Sequence, residues 1–78
     1  MIDCTITSSQ KAIVYKNIES ITLPVFSGQI QVSPNHAESF VLLKRGDISL
    51  KQLNKQSKII QITSGECCVK NNAVTIIL

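Results

Sequence analysis

Apolar and polar residues alternate with a period of two along most of this chain, in short runs broken by Ser, Gly, Asn and Pro, and that pattern narrows the fold more than any single motif. Ile2, Cys4 and Ile6 share one side of a first strand, and Asp3, Thr5 and Thr7 share the other. Ser8-Ser9-Gln10 turns the chain. A second strand through Ala12, Ile13, Val14 and Tyr15 leads into a third through Ile18, Ile21 and Leu23, which Pro24 is expected to end by withdrawing a backbone donor. Ser27-Gly28 marks the next loop. Gln29 to Ser33 then reads polar, apolar, polar, apolar, polar, so Ile30 and Val32 are expected to face the core while Gln29, Gln31 and Ser33 face outward.

Pro34-Asn35 predicts a tight turn. Phe40, Val41, Leu42 and Leu43 are consecutive apolar residues, as expected of a strand buried on both faces, with Gly46-Asp47 as the turn after it and Ile48 and Leu50 resuming the alternation. Asn54-Lys55-Gln56 is placed as a hairpin loop before the strand holding Ile60 and Ile62. Asn71-Asn72 takes the same role between Val69 and Val74, since Asn tolerates positive φ. No capped segment of helical period reaches ten residues. The expectation is an all-β fold, a sandwich or small barrel built from short, mostly antiparallel strands.

With 78 residues the chain supports one domain over 1–78, and one this small buries only about 60–65% of the surface exposed by its unfolded form. Apolar residues make up 44% and charged residues 17%, the composition of a packed core and not of a disordered tail. The absence of Trp, with one Tyr and two Phe, leaves aliphatic side chains to fill that core. A net charge of +3 raises the question of an anionic partner, but Lys16, Lys44, Arg45, Lys51, Lys55, Lys58 and Lys70 are scattered and not interleaved with aromatics. They read as a solvated outer surface that also blunts sheet edges, with no nucleic-acid partner.

Cys4, Cys67 and Cys68 are odd in number, and neighbours in a strand point to opposite faces, so a bridge between the last two is not expected. Neither a Cys-x-x-Cys pair nor a nearby His gives a zinc spacing. All three read as reduced thiols acting as small apolar fillers, which fits a reducing compartment. The N-terminus lacks the features of a signal peptide, and no run approaches the roughly 20 apolar residues of a membrane helix. Any membrane association is expected to come through a partner.

The ionisable groups Asp3, Glu19, His36, Glu38, Asp47 and Glu66 form no nucleophile, acid–base or metal motif, and the Gly28 segment is too poor in glycine for a phosphate cradle. No catalytic residue, cofactor or metal is expected. His36, placed after Pro34-Asn35, fits three roles from the residues alone: a ligand, an interface residue, or a side chain that caps its own loop.

The stretch Gly28-Gln29-Ile30-Gln31-Val32-Ser33-Pro34-Asn35-His36-Ala37 resembles a signature of the epsilon subunit of F-type ATP synthases. Gly28, Ile30, Val32, Pro34, His36 and Ala37 keep the family pattern; Gln29, Gln31, Asn35 and Glu38 replace an acid, two glycines and a proline. The order continues with Val14-Tyr15, with Ile21-Thr22-Leu23-Pro24, with Lys44-Arg45-Gly46, with Ser64-Gly65 and with a closing strand over Asn72–Leu78, and one shortening falls near Cys68 to Asn72.

The resemblance implies two packed sheets and a non-catalytic rotor subunit that links the gamma subunit to the c-ring during proton-driven ATP synthesis. It implies a gamma-facing set of Ser8, Val32, Ser33, Pro34 and His36, and a ring-facing set of Ser27, Gly28, Gln29 and Ile30. It also implies a location at the membrane surface as a peripheral part of the complex, on the cytoplasmic face of a bacterial inner membrane or its matrix or stromal equivalent. The family's C-terminal helical hairpin would begin after the closing strand, so the chain as given is expected to lack hairpin-based inhibition. The alternatives are a small all-β adaptor that binds a peptide on a sheet edge and, behind it, an enzyme fragment.

Overall fold

A computed structural model describes residues 1–53 and 56–78. Eight strands follow one another: β1 (Ile2–Thr7), β2 (Ala12–Val25), β3 (Gly28–Val32), β4 (Ser39–Leu43), β5 (Gly46–Gln52), β6 (Lys58–Ile62), β7 (Gly65–Lys70) and β8 (Ala73–Ile77). No helix occurs among the described residues. Hydrogen bonding runs in the order β4-β7-β8-β1-β2-β5-β6, with β3 also on β2. Among the described residues only β1 and β8 pair in parallel.

The two layers of the all-β sandwich are halves of this one curled sheet, and β2 belongs to both. Its first part pairs with β1 from Thr7↔Ala12 to Ile2↔Ile18. Its second part pairs with β5 from Ile18↔Gln52 to Thr22↔Ser49, and with β3 from Ile21↔Val32 to Val25↔Gly28. At the crossing Asn17 takes φ 59°, and both ladders slip register beside it. This is a bulge, which turns the strand and increases its local twist. The second and third strands expected from the sequence are therefore a single 14-residue strand.

Pro24 does not end β2, which runs on to Val25. In a strand the N–H and C=O of one residue point to the same neighbour, and Pro24 O accepts a hydrogen bond from Lys44 N at 3.1 Å. That side lies beyond the last recorded β2–β5 pair, so the missing N–H forfeits no ladder bond.

The core lies between the layers. Cys4, Ile6, Cys67, Val69, Val74 and Ile76 come from one, and Ile21, Leu23, Val32, Ile48, Leu50 and Ile62 from the other. No polar or charged residue is buried among those described. Alternation places Cys67 inside and Cys68 outside, so Cys4 and Cys67 are fillers as expected but Cys68 is not. Burial pushes the Cys4 thiol up to about 12, with the Cys67 thiol adding to the effect. The Cys67 thiol rises to about 11, again chiefly by burial and secondarily through Cys68.

Two further expectations change. The Phe40–Leu43 run is not buried on both faces: β4 is the edge of the sheet and alternates, with Val41 and Leu43 turned inward and Phe40 and Leu42 left 59% and 56% exposed. Gly46 and Asp47 do not form a turn but open β5, and the chain reverses at Lys44-Arg45 instead. Of the expected loop at 54–56, Asn54 and Lys55 lie outside the described residues.

Candidate docking surfaces

Three places carry the residues singled out in the sequence. The first is the turn after β3. His36 N donates to Ser33 O at 3.1 Å, closing a four-residue turn with Pro34 second and Asn35 third at φ 65°. Pro fixes the φ of the second position and Asn tolerates the positive φ of the third, which is the type II solution. Asn71 and Asn72, at φ 52° and 60°, make the two-residue reversal between β7 and β8, where positive φ at both positions is the type I′ requirement.

Side chains join these two turns. Asn35 N donates to Asn72 Oδ1 at 2.6 Å, and Asn72 Nδ2 donates to Asn35 Oδ1 at 3.4 Å. His36 is half-buried at this junction, in a shallow cleft of about 350 Å³ lined by Asn35, His36, Glu38, Asn71 and Asn72. Its Nδ1 lies 2.9 Å from Ala37 O. A carbonyl only accepts, so Nδ1 carries a proton in this contact, and Nε2 is not used by any hydrogen bond among the described residues.

Ser8 lies elsewhere. Its N–H donates to Lys11 O at 2.8 Å in the β1–β2 turn, and it rims an apolar cleft of about 230 Å³ with Ile6, Ile13, Tyr15, Ile60 and Leu78. Asp3 N donates to Asn72 O at one end of the β1–β8 pair, and Leu78 N donates to Thr7 O at the other. Ser8 is thus roughly 16 Å from the Asn35–Asn72 junction at about 3.3 Å per residue. Val32, from the same expected set, is 0% exposed in the core and presents no surface. What it does is anchor β3, so that Gln31 and Ser33 on either side face solvent.

Between Ser8 and His36 stretches the outer face of β4, β7, β8, β1 and the start of β2. Ladder partners run straight across it: Phe40 opposite Cys68, Cys68 opposite Thr75, Thr75 opposite Thr5, and Thr5 opposite Val14. The next row is Leu42, Glu66, Ile77, Thr7 and Ala12. Glu66 is the one charged residue in these two rows, and Phe40, Leu42, Val14 and Ile77 are all substantially exposed. Sequence reasoning missed this face because four consecutive apolar residues give no hint of which of them points out.

The ring-facing candidates occupy the β2–β3 hairpin. Phe26 and Ser27 form its tip, Gly28 takes φ +132°, Gln29 is exposed, and Ile30 is half-buried against the core. The sequence reading overlooked Phe26, the residue just before the expected loop.

No group of three metal-ligating side chains occurs among the described residues. A cleft of about 450 Å³ is lined by Arg45, Gly46, Asp47, Gln61, Ile62 and Thr63, and it contains none of the residues singled out as site candidates. No described helix is long and apolar enough to cross a membrane.

The ATP synthase delta/epsilon chain β-sandwich domain model matches residues 1–78, the whole chain. The ATP synthase epsilon chain of Campylobacter curvus is 32% identical over 72 residues, covering 92% of this chain and 56% of that relative. The chloroplastic epsilon chain of Pelargonium hortorum is 35% identical over 60 residues, 77% of this chain and 45% of the relative. This chain therefore spans about half the length of the curated relatives it matches. Among solved structures, a chain in the central stalk and c-ring of the Tetrahymena thermophila mitochondrial ATP synthase superposes with a TM-score of 0.82 at 16% identity, over 97% of this chain and 61% of that one. One in the Euglena gracilis mitochondrial ATP synthase gives 0.89 at 20% identity, over 97% of this chain and 49% of that one, and at such identities the likeness speaks to the fold. By its sandwich, its signature around His36 and its match from end to end, this chain belongs to the ATP synthase delta/epsilon chain family.

Proposed function

We propose that residues 1–78 act as one domain of a non-catalytic central-stalk subunit of an F-type ATP synthase, joining the gamma subunit to the c-ring in proton-driven ATP synthesis. The observation that carries this reading is the family match over the whole chain, and relatives named as epsilon chains and structures of the stalk and ring agree with it. The chain is held at the membrane surface by its partners. Its work is mechanical: a two-layer β scaffold transmits torque without shearing, because its core is close-packed and its layers share a strand.

Gamma docks on the outer face of β4, β7, β8 and β1. Ser8 at one end of this face and Ser33, Pro34 and His36 at the other are too far apart for one small contact, and the surface between them is broad: two rows expose Phe40, Leu42, Val14 and Ile77 with Glu66 as their one charge, and the row nearest His36 adds Asp3 and Lys70. Such a face suits a partner that stays bound through each rotation. The β2–β3 hairpin, with Ser27, Gly28, Gln29 and Ile30, meets the polar loops of the ring. An adaptor unrelated to ATP synthase gains nothing from the family match.

Co-purification tests the reading. The wild-type chain is expected to be captured by gamma, and Leu42→Lys with Phe40→Lys, both on exposed positions of the face, is expected to abolish capture while the variant stays folded by circular dichroism. Failure of the folded wild type to bind gamma would remove the proposal.

A further inference from the structure

Phe26 is 77% exposed, more than any other large apolar side chain described, and nothing in the fold uses its ring. The hairpin needs positive φ at Gly28, not at Phe26 or Ser27, so the turn accepts a small polar residue at position 26 and such residues are the usual choice there. The core has no use for it either: Val25 before it is buried, and the alternation that turns Val25 inward sends Phe26 out.

Its base, by contrast, is fixed. Val25 and Gly28 are paired, Pro24 O accepts from Lys44 N, and the Pro24 ring lies so close over Gly46 that a Cβ there would come within 2.9 Å of it. An aromatic ring on a rigid mount has few rotamers to lose on docking, which is the usual character of a binding anchor. Lys44 and Arg45 stand beside that mount, and neither forms an ion pair among the described residues.

We propose that Phe26 anchors the β2–β3 hairpin to the c-ring, its phenyl group covered by the ring's loops on docking while Lys44 and Arg45 add positive charge beside the contact. This rests on the reading that the hairpin faces the ring. Gln29, which stands where the family carries an acid, leaves the tip without a carboxylate of its own; the phenyl ring supplies the contact and the two cations its polarity.

The test assembles the chain with gamma and titrates the complex with detergent-solubilised c-ring. Phe26→Ala is expected to weaken ring capture by roughly tenfold or more, Phe26→Leu to restore most of it, and Lys44→Gln with Arg45→Gln to weaken it less and to reduce its salt dependence. Gamma capture is expected to be unchanged in all three, and the melting temperature of Phe26→Ala to move by less than about 4 °C. Ring capture by Phe26→Ala equal to wild type would overturn the anchor and leave the ring-facing hairpin standing. A wild-type gamma complex that fails to capture the ring would overturn both.

Discussion

The amide of Asn35 donates to the side-chain oxygen of Asn72 at 2.6 Å across 37 positions of sequence, and this bond, with a longer one from Asn72 Nδ2 to Asn35 Oδ1, ties the loop that carries His36 to the β7–β8 reversal. Asn72 does two jobs, since it also holds φ 60°. Asn72→Gly keeps the backbone and loses the bond, and is expected to cost below about 1 kcal/mol. Asn72→Ala loses both and is expected to cost about 1–2 kcal/mol more, because a Cβ is disfavoured in the left-handed region. Denaturant unfolding of the two variants measures the difference, and it is expected to come with weaker gamma binding in both as the His36 loop loosens.

Gly46 is required for space and not for its torsions. A Cβ on it would lie 2.9 Å from Pro24 Cβ and 3.3 Å from Pro24 Cγ, and the proline ring is buried and cannot swing away. Gly46→Ala is expected to destabilise by about 1–3 kcal/mol, as read by the denaturant midpoint, whereas Ser64→Ala at an exposed turn is expected to change it by less than about 0.5 kcal/mol.

Val32 and Ser33 are adjacent and predict opposite phenotypes. Val32 is sealed in the core, so Val32→Ala is expected to cost about 2 kcal/mol in stability and to leave gamma affinity of the folded fraction intact. Ser33→Lys, on the exposed side, is expected to leave the unfolding midpoint unchanged and to weaken gamma capture. Affinity and stability measured on both variants separate the two roles.

The buried thiols make stability depend on alkaline pH. Burial holds the Cys4 thiol up at about 12, above its ordinary value of 9.0, so the fold favours the neutral form. The contribution is fully present below pH 9 and is lost as pH climbs towards 12. Cys67 acts in the same direction between 9.0 and about 11. The informative quantity is a difference: the melting temperature of wild type minus that of Cys4→Val is expected to be flat from pH 6 to about 8 and to fall steadily above about 9.

Much of this fold was legible in the residues. The alternation in Ile2–Thr7 and Gln29–Ser33 fixed which side chains face the core, and Pro34-Asn35 and Asn71-Asn72 announced their turns because each residue type solves a stated torsional problem. Four features were not legible for physical reasons. The continuity of β2 depends on Asn17 adopting positive φ inside a strand, which a polar residue between two apolar runs does not distinguish from a loop. Phe40 and Leu42 face out because β4 is an edge with one layer behind it, and edge position is a property of the whole topology. Phe26 lay just outside the signature that drew attention to Ser27–Ile30. The separation of Ser8 from His36 followed only from the parallel pairing of β1 with β8, which joins the two most distant strands in sequence.

Cys68 offers the most direct test of the account, because it sits between Phe40 and Thr75 in a row that crosses the proposed gamma face and is the exposed thiol of the three, while Cys4 and Cys67 are buried. The measurement is the alkylation rate of Cys68 by a small maleimide, followed by mass spectrometry of its peptide, in the free chain and in the gamma-bound complex. The account predicts a rate at least about tenfold lower in the complex, with Cys4 and Cys67 unreactive in both. An unchanged Cys68 rate in a complex shown to be intact would contradict it and move gamma off this face.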